Sequence, residues 1–265
     1  MRWIFIVFYI FFWSCNSQKK WHLKTSLTLQ NVKPIGITSL NNEIWISDGD
    51  HNRLVKIDSK GNIKKEVSEL ERPMHIASYD NKIWIPEYGN DTIRKYVYGT
   101  LSTLEKAPKL DAPAGVWATK NNIAIADFYG HKVHYFNGEK WISIGEKGHY
   151  EGQLHYPTDV QIVDNLIYVA DAYNHRIQIF DHNGIFIKQM AQDFNINAAT
   201  GIFVTKNQIF VTDFENNRVL VLSKEGELLQ ELKEGLQNPT DVLVMKNELF
   251  VVNYKSGTLS VFNAP

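Results

Sequence analysis

"IYVADAYNHRIQIF", Ile167 to Phe180, decides the fold, because the chain repeats it. Two short apolar runs, Ile167 to Ala170 and Ile177 to Phe180, flank a polar turn from Asp171 to Arg176. With Asp171 as reference, the pattern returns in "IWISDGDHNRLVKI", "IWIPEYGNDTIRKY", "IAIADFYGHKVHYF", "IFVTDFENNRVLVL" and "LFVVNYKSGTLSVF". The reference positions are Asp48, Glu87, Asp127, Asp171, Asp213 and Asn253, spaced 39, 40, 44, 42 and 40 apart. A period of this size marks a repeat architecture, and a residue that recurs with it is architectural before it is catalytic.

Two further positions keep the period. Six residues before each reference stands an asparagine: Asn42, Asn81, Asn121, Asn165, Asn207 and Asn247. Asparagine tolerates positive φ, so each is expected to close a hairpin between two strands. Fourteen residues before the reference stand Pro34, Pro73, Pro113, Pro157 and Pro239, with Ala199 the exception. Proline cannot donate to a sheet ladder and is tolerated at a strand's first residue, so it marks where each repeat's first strand begins.

Each repeat thus reads as four short strands, apolar on both faces. Such a unit cannot bury both faces alone and must stack on its neighbours, which gives an all-β, six-bladed β-propeller of four-stranded antiparallel blades. The last copy supplies three strands before the chain ends at Pro265. "TSLTLQ", Thr25 to Gln30, alternates like a strand, and the expectation is that it completes the last blade and closes the ring. The chain then divides into an export segment (1–15), a short tether (16–24) and one propeller domain (25–265).

The export segment, "MRWIFIVFYIFFWSC", has Arg2, then an apolar run from Trp3 to Trp13, then Ser14 and Cys15, the single cysteine. That run is too short to span a bilayer core of about 30 Å as a helix, and it suits the hydrophobic core of a signal. A small residue and then cysteine resembles a bacterial lipoprotein signal, which implies a lipid anchor on Cys15 at a cell-envelope membrane; an ordinary signal or an uncleaved anchor are the alternatives. With Cys15 acylated, no thiol is left for a disulfide or a thiolate ligand. A formal net charge of -1 gives no global basic field for a phosphate backbone, so nucleic acid is not expected as a partner. A monomer is expected.

The copy from Gly145 to Phe186, "GEKGHYEGQLHYPTDVQIVDNLIYVADAYNHRIQIFDHNGIF", is similar to the NHL repeat, and the resemblance extends more loosely over residues 34–262. It implies the propeller fold and leaves function open: the family holds RNA-binding propellers, protein scaffolds and enzymes such as the peptidylglycine amidating lyase. Similar propellers outside it include the streptogramin lyase and calcium-dependent gluconolactonases. The amidating lyase is disfavoured, because the positions after the first-strand prolines, where its zinc histidines stand, are Ile35, Met74, Ala114, Thr158 and Thr240.

Against this frame the reference Asp and its turn read as structure: the carboxylate is expected to accept N–H groups of the tight turn and to pair with Arg53, Lys132, Arg176 or Arg218. Departures from the repeat carry more information. Two residues after each first-strand start stand Gly36, His75, Gly115, Asp159, Gly201 and Asp241. His75, Asp159 and Asp241 fall on alternate blades near the channel mouth, a donor set for a divalent cation such as Ca²⁺ or Mn²⁺, or else polar lining that bonds neighbouring loops. Just after the reference come Tyr88, Phe128 with Tyr129, Tyr173, Phe214 and Tyr254, larger than a turn requires. They are candidates for binding a protein, peptide, glycan or other small molecule at the channel-mouth face, or rings that pack against the next blade. His149, Glu151 and His155 sit in the longest inter-blade loop and read as part of its structure. The reading that follows is an exported, lipid-anchored binding scaffold. The alternative is a lactonase- or lyase-like enzyme with its metal in the channel.

Overall fold

A computed structural model describes residues 20–264. The expected signal, with Cys15, and the first part of the tether lie outside the described residues. The described residues form six four-stranded antiparallel sheets, each an uninterrupted meander in space. Blade four shows the pattern: Pro157–Val163, Leu166–Asp171, Arg176–Asp181 and Phe186–Met190 lie side by side in chain order.

The alternation along each strand explains why the blades must ring. Ile167 and Val169 pack into the cluster shared with blade three, while Tyr168 and Ala170, their immediate neighbours, pack into the cluster shared with blade five. Successive side chains of a strand point to opposite faces, and here both faces are dry. The buried apolar side chains among the described residues accordingly divide into six clusters, one at each blade interface, instead of one central core.

The N-terminal strand closes the ring as expected. It runs over His22–Thr28 as the outer strand of blade six, pairing Ser26 with Ser260 and Thr28 with Thr258 on the blade's third strand, Thr258–Asn263. It begins before Thr25 because Trp21 is anchored: the indole packs edge to face on Phe210 at 5.5 Å, and its backbone N–H and C=O both bond the Gln230 amide of blade five. The closing segment therefore touches two blades.

The asparagine turns take two forms. In blades one, two, four and six both turn residues have positive φ: Asn41 and Asn42, Asp80 and Asn81, Asp164 and Asn165, Lys246 and Asn247. This is the turn whose twist matches paired strands. In blades three and five the turn is wider, because Thr119 and Thr205 hydroxyls accept the N–H of Asn122 and Gln208 and hold it, so Asn121 and Asn207 need no left-handed backbone. Blade two departs at its proline: its first strand, Ala77–Tyr79, starts four residues after Pro73, which makes only an isolated bridge to Glu87.

The register fixes two faces. Pairs such as Pro157 with Asp171 put the first-strand starts and the reference carboxylates on one face. Pairs such as Val163 with Leu166 put the asparagine hairpins on the other.

Candidate functional site

The six reference side chains do one job. Each accepts a backbone N–H from the segment leading into its own blade's first strand: Lys33 to Asp48 (3.0 Å), Glu71 to Glu87 (2.9 Å), Asp111 to Asp127 (2.7 Å), His155 to Asp171 (2.7 Å), Asn197 to Asp213 (2.8 Å) and Gln237 to Asn253 (3.0 Å). The carboxylate therefore ties down the lead-in segment, about sixteen residues back in the chain, where the sequence suggested the turn that follows it. Arg53, Arg176 and Arg218 pair with these carboxylates at 2.9, 2.8 and 2.7 Å as expected. Lys132 does not; His134 reaches Asp127 instead, at 3.0 Å, because it lies two residues further along the same strand face.

A second recurring bond joins blade to blade. Asn52, Asp91, His131, His175 and Asn217, all in the left-handed region, accept the N–H of Arg72, Ala112, Tyr156, Ala198 and Asn238, the residue before the next blade's recurring proline or, in blade five, Ala199. Asn174, His175 and Arg176 are thereby structural: the Asn174 amide donates to Asp171 at 2.8 Å, and Arg176 also donates to the Tyr150 and Gln153 carbonyls.

The alternating glycines and polar residues meet at the axis. A Cβ on Gly115 would stand 2.7 Å from the Thr158 carbonyl oxygen and 2.8 Å from Asp159 Cα, and one on Gly201 would stand 2.5 Å from the Thr240 oxygen. Glycine is required on blades one, three and five because the next blade's polar residue lies against its backbone. His75, Asp159 and Asp241 are thereby brought together: one donor atom from each lies within 4.8 Å of the others. All three are buried, at 3%, 5% and 4% exposure.

Both carboxylates are symmetrically held. Asp159 accepts the N–H of Val160 (2.8 Å) and of Ile202 on blade five (2.9 Å). Asp241 accepts the N–H of Val242 (2.8 Å) and of Ile37 on blade one (2.9 Å). His75 Nδ1 is buried 3.6 Å from Asp241 Oδ2 and has no hydrogen-bond partner among the described residues. Burial, and then repulsion from Asp241, pushes the Asp159 carboxyl up to about 7 against the pull of His75 and its two N–H donors. Burial disfavours a charged His75, but the Asp241 and Asp159 carboxylates outweigh it and raise the imidazole's pKa.

Asp159 and Asp241 form the inner end of a cavity of about 170 Å³ lined by Thr38, Ser39, Ser78, Trp117, Gln161 and Phe203. These positions lie beyond the triad toward the hairpin ends of the first strands. The cavity therefore extends away from the aromatic residues, which occupy the opposite face.

Those aromatics divide. Tyr88, Phe128, Tyr129 and Tyr173 form one contiguous patch over blades two to four, with centroids 5.1 to 6.2 Å apart between Tyr88 and Phe128, Tyr88 and Tyr129, Phe128 and Tyr129, and Phe128 and Tyr173. Tyr129 and Tyr173 are 49% and 54% exposed. Phe214 stands apart from the patch, and Tyr254 is occupied elsewhere, donating its hydroxyl to Asp50 at 2.8 Å under Lys33.

Sequence reasoning missed the patch's centre, Tyr156, which lies 4.7 Å from Phe128 and 4.8 Å from Tyr173. It precedes Pro157 with φ 53°, a costly conformation for a large side chain. His131 and His155 stack at 5.4 Å against it, and His155 Nδ1 is buried without a partner among the described residues. His149 is held by Asn174, so the longest loop builds the edge of the patch.

Residues 154–180 match the NHL repeat family. No curated protein matches the chain. Among solved structures, it resembles a streptogramin B lyase at 18% identity and TM-score 0.67, over 92% of this chain and 88% of the other. It also resembles virginiamycin B lyase from Staphylococcus aureus at 16% identity and TM-score 0.66, over 93% of this chain and 100% of the other. A gluconolactonase from Xanthomonas campestris aligns at 14% identity and TM-score 0.73, over 91% and 89% of the two chains. At these identities the likeness is one of fold. The chain is a six-bladed β-propeller with an NHL repeat in its fourth blade.

Proposed function

We propose that the protein is an exported, lipid-anchored binding module that engages its ligand through the aromatic patch over blades two to four. The observation that carries this reading is the contiguity of Tyr88, Phe128, Tyr129, Tyr156 and Tyr173, with two rings half exposed on a face whose turns do not need them. Rigid rings with hydroxyl tips offer flat contact area at low entropic cost, which suits a sugar ring or an aromatic peptide side chain. Attachment through Cys15 belongs to the same reading and rests on the leader sequence alone. Titration calorimetry against a panel of soluble oligosaccharides and aromatic peptides tests it. Saturable binding lost in a Tyr129→Ala, Tyr173→Ala double variant supports the patch, and binding unchanged in that variant removes it.

A second reading is a metal-dependent enzyme of lactonase or lyase type, favoured by the convergence of His75, Asp159 and Asp241 and by a fold shared with such enzymes. The 170 Å³ cavity restricts the substrate at that site to a small molecule. Turnover of small lactones by wild-type protein supplied with divalent cations, abolished by Asp159→Asn, would support this reading; no turnover across the panel would end it.

A further inference from the structure

Buried charge at the axis of the ring is compensated only in part by the described residues, since the one cationic neighbour, His75, reaches Asp241 only at 3.6 Å. Two carboxylates and an imidazole lie within 4.8 Å of one another at 3 to 5% exposure, and no lysine or arginine bonds either carboxylate among the described residues. Unpaired buried carboxylates are costly, and two of them cannot share a dry site without a proton or a cation between them. Three observations favour a cation. His75 Nδ1 is unpartnered and buried, and faces Asp241 Oδ2 at 3.6 Å, too long for a hydrogen bond. That separation is close to the roughly 3.4 Å between two donors at about 2.1 Å from one tetrahedrally coordinated ion. Every carboxylate oxygen already accepts one backbone N–H, which fixes its orientation and leaves its second lone pair free, as outer-shell donors do around a metal.

We infer that His75, Asp159 and Asp241 bind one divalent cation that ties blades two, four and six together at the axis of the propeller. The assignment rests on the site of the second reading above and fails separately from it: a bound cation without turnover keeps the site and ends the enzyme reading, and neither outcome depends on the aromatic patch. Two carboxylates and a neutral imidazole leave the loaded site with no net charge. An imidazole donor fits a first-row transition cation such as Mn²⁺ or Zn²⁺ better than Ca²⁺, which prefers oxygens throughout. Water in the cavity beneath Asp159 and Asp241 would fill the remaining positions. The glycines on blades one, three and five belong to the same construction, because a side chain there would push the ligating strands apart.

The test begins with wild-type protein stripped by chelator and dialysed separately against Mn²⁺, Zn²⁺ and Ca²⁺. Elemental analysis is expected to find one tightly held Mn²⁺ or Zn²⁺ per chain. The loaded protein should melt higher by roughly 5–10 °C at a hundredfold excess over Kd. Asp159→Asn and His75→Gln should each abolish uptake and the shift. If either variant fails to fold, X-ray absorption of the Zn²⁺-loaded wild type decides, with nitrogen and carboxylate oxygen expected in the inner shell. Uptake should also weaken as pH falls, since protons compete for the same donors. Stripped wild type that takes up no cation, uptake unchanged in the variants, or an inner shell of water oxygens alone would overturn the inference.

Discussion

At the scale of single residues, the chain spends its exceptions on inter-blade contact. Gly201 is the clearest case, because the neighbouring backbone occupies the space a methyl would need. Gly201→Ala is expected to cost about 1–3 kcal/mol by forcing blades five and six apart, read as a lower denaturation midpoint in urea. His131 gives a pH dependence. Its Nδ1 accepts the Tyr156 N–H, so the clasp needs the neutral ring, and burial first, then Lys147 and His155, lower its pKa, with Asp127 and Asp111 opposing. A histidine whose folded pKa is depressed contributes stability that is complete above its unfolded value of about 6.5 and lost as pH falls through the folded value. Urea melts between pH 7.5 and 5 should show that loss. His131→Asn, which keeps an acceptor as Asn52 and Asn217 do in their blades, should reduce it; an unchanged slope would remove His131 from the account. The asparagine, proline and Asp positions were legible from spacing alone. Tyr156 was not, because nothing local marks a residue whose ring gains meaning only from two neighbouring blades.

At the scale of the blade, the reference carboxylate is the bolt. Asp213 is fully buried and holds the Asn197 N–H, the Asn216 amide and the Arg218 guanidinium at once. Asp213→Ala leaves Arg218 without its buried partner and the lead-in N–H unmet, and should destabilise by about 3–5 kcal/mol. Asp213→Asn, which keeps an acceptor for Asn197, should cost less; equal losses in calorimetric melts would mean the lead-in bond contributes little. The sequence identified these carboxylates as structural and three of their arginine partners. It misassigned Lys132, because the choice between Lys132 and His134 depends on which side chain turns inward beside Asp127.

At the scale of the whole molecule, six small cores in a ring make closure a shared requirement. Removing residues 20–28 deletes the outer strand of blade six together with the Trp21 anchor on blade five, and leaves the edge of Thr258–Asn263 open. The truncated protein is expected to melt at lower temperature and to self-associate through that edge; an unchanged melting temperature and a monomeric profile on size exclusion would show that closure is dispensable. The sequence by itself determined the number of blades, their strands, most of their turns and the closing strand, because strand alternation, hairpin chemistry and proline exclusion act over a few residues and repeat six times. It also named the three axial residues, from a break in the repeat. Only the tertiary structure decided that His75, Asp159 and Asp241, more than eighty residues apart in turn along the chain, share one dry site, and that four of the six singled-out aromatics form a patch while two do not. The physical reason is that convergence and desolvation belong to the closed ring: the distance between two side chains on different blades, and the water they lose, are set by how six sheets stack about an axis.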